Sequence, residues 1–568
     1  MLQKTSDADW WRQAVVYQIY PRSFADANGD GIGDLKGITS RVPYLESLGV
    51  DAVWLSPFYP SALKDGGYDV ADYRDVDPKI GTLADFDEML SALKTVGIKV
   101  MVDIVPNHSS DDHEWFQDAL KAGKGSKERE RYIFRDGLGP NKDQPPTDWK
   151  SVFGGPSWSP SGVNDGQWYY HMFDNSQPDW NWDHPDVRDD FIKTLKFWGD
   201  RGVSGFRIDV AHALTKDMSG DLPKWEDLVK LTHQKLSNGN ADLVHPLLDR
   251  DEVQDIYKSW RQVFNQYDPP LIAVAECWVA PDRKHLYASS EGLGQAFSFD
   301  ILLCNYDAKE YVDCIKHSLK GSSLTDSSTT WVLSNHDVIR HASRFAMPNV
   351  ENNKNHPLVI EAVNKWLVNK FQDPKPDVKT GLRRARAATL MILGLPGSTY
   401  VYQGEELGLP EVVDIPDDKR QDPTFFRTEA KEIGRDGCRV PIPWKADAKN
   451  FGYGPDAPAH LPQPEWLGKY AVDVEEKDAK STLNLYRKAL RLRKQLQTAE
   501  ELEWVQEGED GILHYKRPDG WEVVMNSGKE AVELPTIKGK KVLITSSLEE
   551  LKDDGKLAGE TTVWLKSG

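Results

Sequence analysis

Eight short apolar runs, beginning near residues 15, 52, 98, 203, 271, 296, 331 and 398, set the strongest limit on what this chain can fold into. Most are separated by segments of helical period. In the first, Leu35, Ile38, Val42, Leu45 and Leu48 share one face and Gly49 closes the helix. Further helices are predicted near 83–96, 185–201, 252–267, 381–393 and 482–495. Parallel strands need such crossovers, and eight of these units predict an α/β chain closed into a (β/α)8 TIM barrel. An open doubly wound sheet is the alternative, but no GxGxxG follows the first run.

The rhythm breaks in two places. Residues 108–175 are rich in Trp, Pro, Gly and Asp, show little periodicity, and are too long for an ordinary loop. They predict an inserted domain after the third strand. From residue 499 the texture changes to short alternating runs, which predict a C-terminal antiparallel β domain over 499–568. The barrel then takes residues 1–107 and 176–498, with a long charged segment at 215–251 and a long irregular loop at 404–470.

Composition narrows the function classes. A net charge of −19 over 568 residues lacks the basic footprint that nucleic acid or an anionic membrane requires. No apolar run approaches a membrane span, and the N-terminus has no apolar core of a signal peptide. Cys277, Cys304, Cys314 and Cys438 form no CxxC pair, which argues against zinc and fits a reducing compartment. The expected location is cytoplasmic, as a monomer or small homo-oligomer. Twenty Trp and twenty Tyr suit sugar faces, and equally fill cores.

Candidate chemistry collects where strands end. Asp103 and Asn107-His108 belong to the third strand, Arg207 and Asp209 to the fourth, Glu276 to the fifth, and His336-Asp337 to the seventh. Arg207 and Asp209 alternate, so both side chains share one face. Alone they read equally as a structural ion pair. In a barrel, however, strand C-termini share one face, where catalytic groups gather. Paired carboxylates with different pKa values can divide nucleophilic attack from proton transfer, as glycoside cleavage needs. Arg207 should keep Asp209 ionised, and the apolar strand before Glu276 should keep it protonated. Asp337, His108 and His336 suit contacts to hydroxyls. The loop Asp26, Asn28, Asp30, Ile32, Asp34 offers an oxygen at every second position with glycines between, a pattern that wraps a hard cation. A structural Ca²⁺ or Mg²⁺ is expected there, with no organic cofactor.

Asp103-Ile-Val-Pro-Asn-His108, Gly205-Phe-Arg-Ile-Asp209, Ala275-Glu276 and Ser334-Asn-His-Asp337 resemble, in order, the four conserved regions of α-amylase-type glycoside hydrolases, family 13. Gln177-Pro-Asp-Trp-Asn-Trp182 resembles a fifth region in its oligo-1,6-glucosidase and α-glucosidase form. Tyr17 to Phe24 and Arg435-Asp-Gly-Cys-Arg439 resemble exo-acting members. The resemblance implies a retaining mechanism with Asp209 as nucleophile, Glu276 as general acid/base and Asp337 as transition-state stabiliser. It implies that Tyr68, His108, Arg207 and His336 line the glucose subsite and that Asp65 and Arg439 pair at the blind end. It also assigns the metal loop to Asp26, Asn28, Asp30, the Ile32 carbonyl and Asp34.

The expected activity is release of glucose from the non-reducing end of short α-1,4 or α-1,6 glucosides, or sucrose, with transglycosylation open to it. In relatives a Val after the nucleophile, as in Val210, accompanies α-1,6 activity, but dual-specificity relatives also carry it. The rivals are an isomerase such as a trehalose or isomaltulose synthase, and a non-catalytic transporter-associated homologue. The second usually has a membrane segment and lost carboxylates, neither of which is seen here.

Overall fold

A computed structural model describes residues 7–236, 243–350, 357–497, 499–549 and 555–566. Positions 237–242 of the charged segment therefore lie outside the described residues. Eight parallel strands form one sheet: β1 (Val15–Ile19), β2 (Ala52–Leu55), β3 (Lys99–Ile104), β4 (Gly205–Ile208), β5 (Ile272–Ala275), β6 (Gly294–Ala296), β7 (Thr330–Val332) and β8 (Ser398–Tyr402). Their order is β7-β8-β1-β2-β3-β4-β5-β6, a (β/α)8 barrel.

The period-2 alternation sorts the strand residues into two layers. Val16, Trp54, Met101, Val274, Val332 and Tyr400 meet inside the barrel with Phe297. Val15, Val53, Val100, Phe206, Ala273 and Val401 face the helices in a separate, larger core. Arg207 is in register with Asp103 on one side and Val274 on the other, so it points inward. Gly205 opens β4 because a Cβ there would sit 2.5 Å from the Ile272 carbonyl of β5.

Two expectations shift. The sixth strand, expected over 296–299, is Gly294–Ala296, and Asp300 opens a short helix, Asp300–Leu303. The strand stops because the Ser298 N–H bonds a side chain, Thr330 Oγ1 at 2.9 Å, instead of a strand carbonyl. The first helix is two pieces, Leu35–Ser40 and Val42–Leu48, broken at Arg41 ahead of Pro43.

Within 108–175, strands Phe134–Asp136, Gln167–Tyr170 and Trp158–Pro160 make an antiparallel sheet. The C-terminal region forms a five-stranded antiparallel sheet. It is tied to the helix Val378–Leu393, where Tyr515 Oη, Thr562 Oγ1 and Trp564 Nε1 donate to the carbonyls of Met391, Ala387 and Leu390 at 2.7, 2.8 and 2.9 Å. Among the described residues no helix is long and apolar enough to cross a membrane.

No ladder joins β6 to β7 among the described residues. Thr330 bridges this seam: its hydroxyl also donates to the Ala296 carbonyl at 3.0 Å, and the residue is fully buried. Thr330→Val keeps the shape and leaves both backbone groups unpaired. It is expected to cost about 1–3 kcal/mol, read as a lower urea midpoint at unchanged m value.

Candidate active site

Arg207 is the hub of the barrel mouth. Its Nη1 donates to Asp103 Oδ1 at 3.0 Å and to Asp209 Oδ1, and its Nη2 donates to Glu276 Oε2 at 2.6 Å. The side chain is 2 % exposed and lies against the rings of Trp54 and Tyr68. Tyr68 Oη adds a hydrogen bond to Asp103 Oδ2 at 3.0 Å. Three carboxyls from three neighbouring strands thus face one guanidinium.

One positive charge does not neutralise three negative ones. Burial, then the charges of Glu276 and Asp103, push the Asp209 carboxyl well above its ordinary range, against the pull of Arg207. Burial also pushes Asp103 up to about 7, with Arg207 opposing. Arg207 thus pulls Asp209 toward the ionised form, as expected of it, while burial and the two neighbouring carboxyls oppose that pull, so their proton affinities depend on one another.

Glu276 is held at both oxygens. Trp278 Nε1 donates to Oε1 at 3.2 Å, and the Val210 N–H donates to Oε2 at 3.1 Å. Val210 reaches this position with φ of +44°, where a β-branched residue is strained. The backbone thus turns sharply right after Asp209 and aims an amide at Glu276.

Asp337 sits opposite in a different field. Burial would raise it, but His336, Arg435 and Arg439 hold its carboxyl well below the usual range. Arg435 Nη1 and Arg439 Nη2 reach Oδ1 at 2.9 and 3.0 Å, and the side chain stays 31 % exposed to the cavity. His336 is kept neutral by burial. Gln18 Nε2 donates to its Nδ1 at 2.7 Å, which leaves the ring proton on Nε2, 3.2 Å from Asp337 Oδ2. The ring stacks on Tyr68 at 5.1 Å. Burial likewise lowers His108 to about 4.

All six of Asp65, Tyr68, His108, Asp209, Glu276 and Asp337 line one cavity of about 500 Å³, together with His336 and Arg435. The pairing at its far end differs from expectation. Asp65 Oδ1 is held by Arg435 Nη2 at 2.7 Å, while Arg439 Nη2 serves Asp337. Arg435 also grips Asp422 through Nε at 2.7 Å, and Gln177 Nε2 donates to Asp65 Oδ2 at 3.0 Å. Arg435, Asp422 and Gln177 were not among the predicted site residues. Arg435 and Gln177 stand inside motifs quoted above; Asp422 lies in an irregular stretch with no periodic signal.

In the loop after β1, Asp26 Oδ1 and Oδ2 accept from the N–H groups of Gly29 and Gly31 at 2.6 and 2.8 Å. Asp34 Oδ2 accepts from Ala27 and Asn28, and Asp30 Oδ1 from Ile32. Among the described residues no three His, Cys, Asp or Glu side chains gather as a metal site. A cation here would draw on the Asn28 and Ile32 oxygens beside the carboxylates. These oxygens are all hard donors, the type a Ca²⁺ or Mg²⁺ takes, and each carboxylate here already accepts backbone N–H groups.

A family model for the α-amylase catalytic domain matches residues 18–501. The chain belongs to the α-amylase family of glycoside hydrolases. It is 33 % identical over 558 residues to a probable α-glucosidase of Rhizobium meliloti, covering 93 % of this chain and 92 % of that one. It is 33 % identical to the oligo-1,6-glucosidase of Parageobacillus thermoglucosidasius, covering 86 % and 84 %. Among solved structures, a trehalulose synthase aligns with a TM-score of 0.80 at 29 % identity, covering 98 % and 100 %. An isomaltulose synthase from Erwinia rhapontici, solved with sucrose, also reaches 0.80 at 27 %, covering 98 % and 99 %. Enzymes of this family act at the C-terminal face of the barrel, where Asp209, Glu276 and Asp337 meet here.

The Asp65 carboxyl is raised to about 6 by burial, with Arg435 and Arg439 pulling it down. Below that pH it becomes protonated and loses its ion pair with Arg435. An acidic limb in kcat/KM is expected as pH falls through about 6. Asp65→Asn should show lower kcat/KM without that limb.

Proposed function

We propose that this enzyme is a retaining, exo-acting α-glucosidase that frees glucose from the non-reducing end of short α-glucosides. The observation that carries the reading is the pair Asp209 and Glu276 on the two terminal nitrogens of one guanidinium. Such close spacing favours the retaining arrangement, about 5–5.5 Å, over the wider gap of inverting enzymes. Asp209 attacks the anomeric carbon and Glu276 protonates the leaving oxygen; Glu276 then deprotonates the water that releases glucose. The donors on Glu276 from Trp278 and Val210 stabilise it as a carboxylate after it has given the proton up. Asp337 stays ionised beside the developing oxocarbenium ion. The Asp65–Arg435–Asp422 pairs and Gln177 support a closed pocket end, which limits binding to a terminal glucose.

Glu276→Gln is expected to lower kcat by about 10²–10⁴ on disaccharides, and Asp209→Asn at least as far, with circular dichroism unchanged. Near-wild-type turnover by either would sink the assignment.

Isomerisation is the second reading, because trehalulose and isomaltulose synthases stand among the structural neighbours. Products from maltose, isomaltose, sucrose and trehalose separate the two. Free glucose supports hydrolysis; a rearranged disaccharide from sucrose supports isomerisation.

A structural Ca²⁺ or Mg²⁺ in the Asp26–Asp34 loop completes the proposal. Removing a cation held at 100 times its Kd should lower stability by about 2.7 kcal/mol, seen as a fall in Tm on chelation and recovery with the added ion. A Tm indifferent to both treatments rules it out. Four buried, unbridged cysteines support a cytoplasmic setting.

A further inference from the structure

We propose that the leaving-group side of the pocket is shaped for an apolar alcohol and not for a second sugar. This rests on the glucosidase reading above. The leaving group departs past Glu276, and one wall beside that acid is apolar. Trp278 stands two residues beyond it. Leu302 and Leu303 come from the short helix after β6, and Val338 directly follows Asp337. All four line the same cavity as the catalytic carboxylates. They form one continuous apolar cluster with Phe297 and Phe299, and Trp278 stacks on Phe299 at 4.7 Å.

Three polar groups near this wall are engaged by the protein itself. Asn335 Oδ1 accepts from the Asp337 N–H at 2.8 Å. Arg344 donates to the carbonyls of Ile339 and Leu333 at 3.0 and 2.8 Å. The Trp278 indole N–H is engaged by Glu276. A sugar hydroxyl facing Leu302 or Val338 would give up water without a replacement partner. An aromatic or alkyl group would gain from the same burial. His212, Asn364, Thr424 and Glu432 also reach the cavity, which suits an alcohol with one polar head over a plain hydrocarbon. The glucose side is the opposite, with Asp65, His108, His336 and Asp337 converging.

The same side receives acceptors in transfer. There the alcohol oxygen bonds the anomeric carbon, the carbon–oxygen bond to Asp209 breaks, and the alcohol proton passes to Glu276. The test uses the full-length enzyme with α-glucosyl fluoride, a donor whose leaving group needs no aglycone contacts. Glucose or 2-phenylethanol is added as acceptor at equal concentration. Capture by 2-phenylethanol is expected to exceed capture by glucose at least tenfold. Leu303→Asn is expected to cut that ratio several-fold, a comparison internal to each enzyme and independent of how much of it is folded. Equal or better capture by glucose, or a ratio unmoved by Leu303→Asn, overturns the inference while leaving the glucosidase reading intact. No turnover of the fluoride overturns both.

Discussion

A guanidinium inside a barrel is the constraint on which this molecule turns. Arg207 is buried among apolar strands, and an unpaired charge there would be prohibitive. Its counter-charges are Asp103, Asp209 and Glu276, contributed by β3 and by the ends of β4 and β5. Removing one partner of such a buried cluster typically costs about 3–5 kcal/mol. The carboxyls gathered at the barrel mouth are thus the groups that make the buried arginine tolerable. That coupling keeps the carboxylates at the barrel mouth, because the register of β3 and β4 already sets Asp103 beside Arg207.

Two carboxylate environments arise within one pocket. Asp209 shares a single guanidinium with two other carboxyls and is pushed up. Asp337 has two arginines and a neutral histidine to itself and is pulled down. Carboxyls in such different fields can take different roles in one site. The polar floor also divides the pocket in space. One end is a lattice of ion pairs around Arg435, whereas one wall beside Glu276 is Trp, Leu and Val.

Much of this was legible in the residues. Period-2 alternation placed Arg207 and Asp209 on one face, and the helical period between runs predicted the barrel. The gathering of carboxyls at the barrel mouth followed from their positions at strand ends. Less legible was anything that depends on irregular backbone. Asp422 carries no periodic signal, and the sixth strand was misplaced because a Thr330 side chain, not a strand, receives its last amide. The Asp65 partner was assigned to Arg439, four residues from the true one, since the chain turns through a short 3₁₀ segment, Asp436–Cys438, between them.

By itself, then, the sequence determined the barrel, its mouth and the identity of the groups gathered there, because strand period and strand order are local properties. Only the tertiary structure decided their pairing and the field each one feels. Proton affinity depends on burial and on the sum of nearby charges, and those are set by residues hundreds of positions apart. Asp209 looked like an ion pair with a neighbour two residues away, and became one of three carboxyls competing for a single arginine.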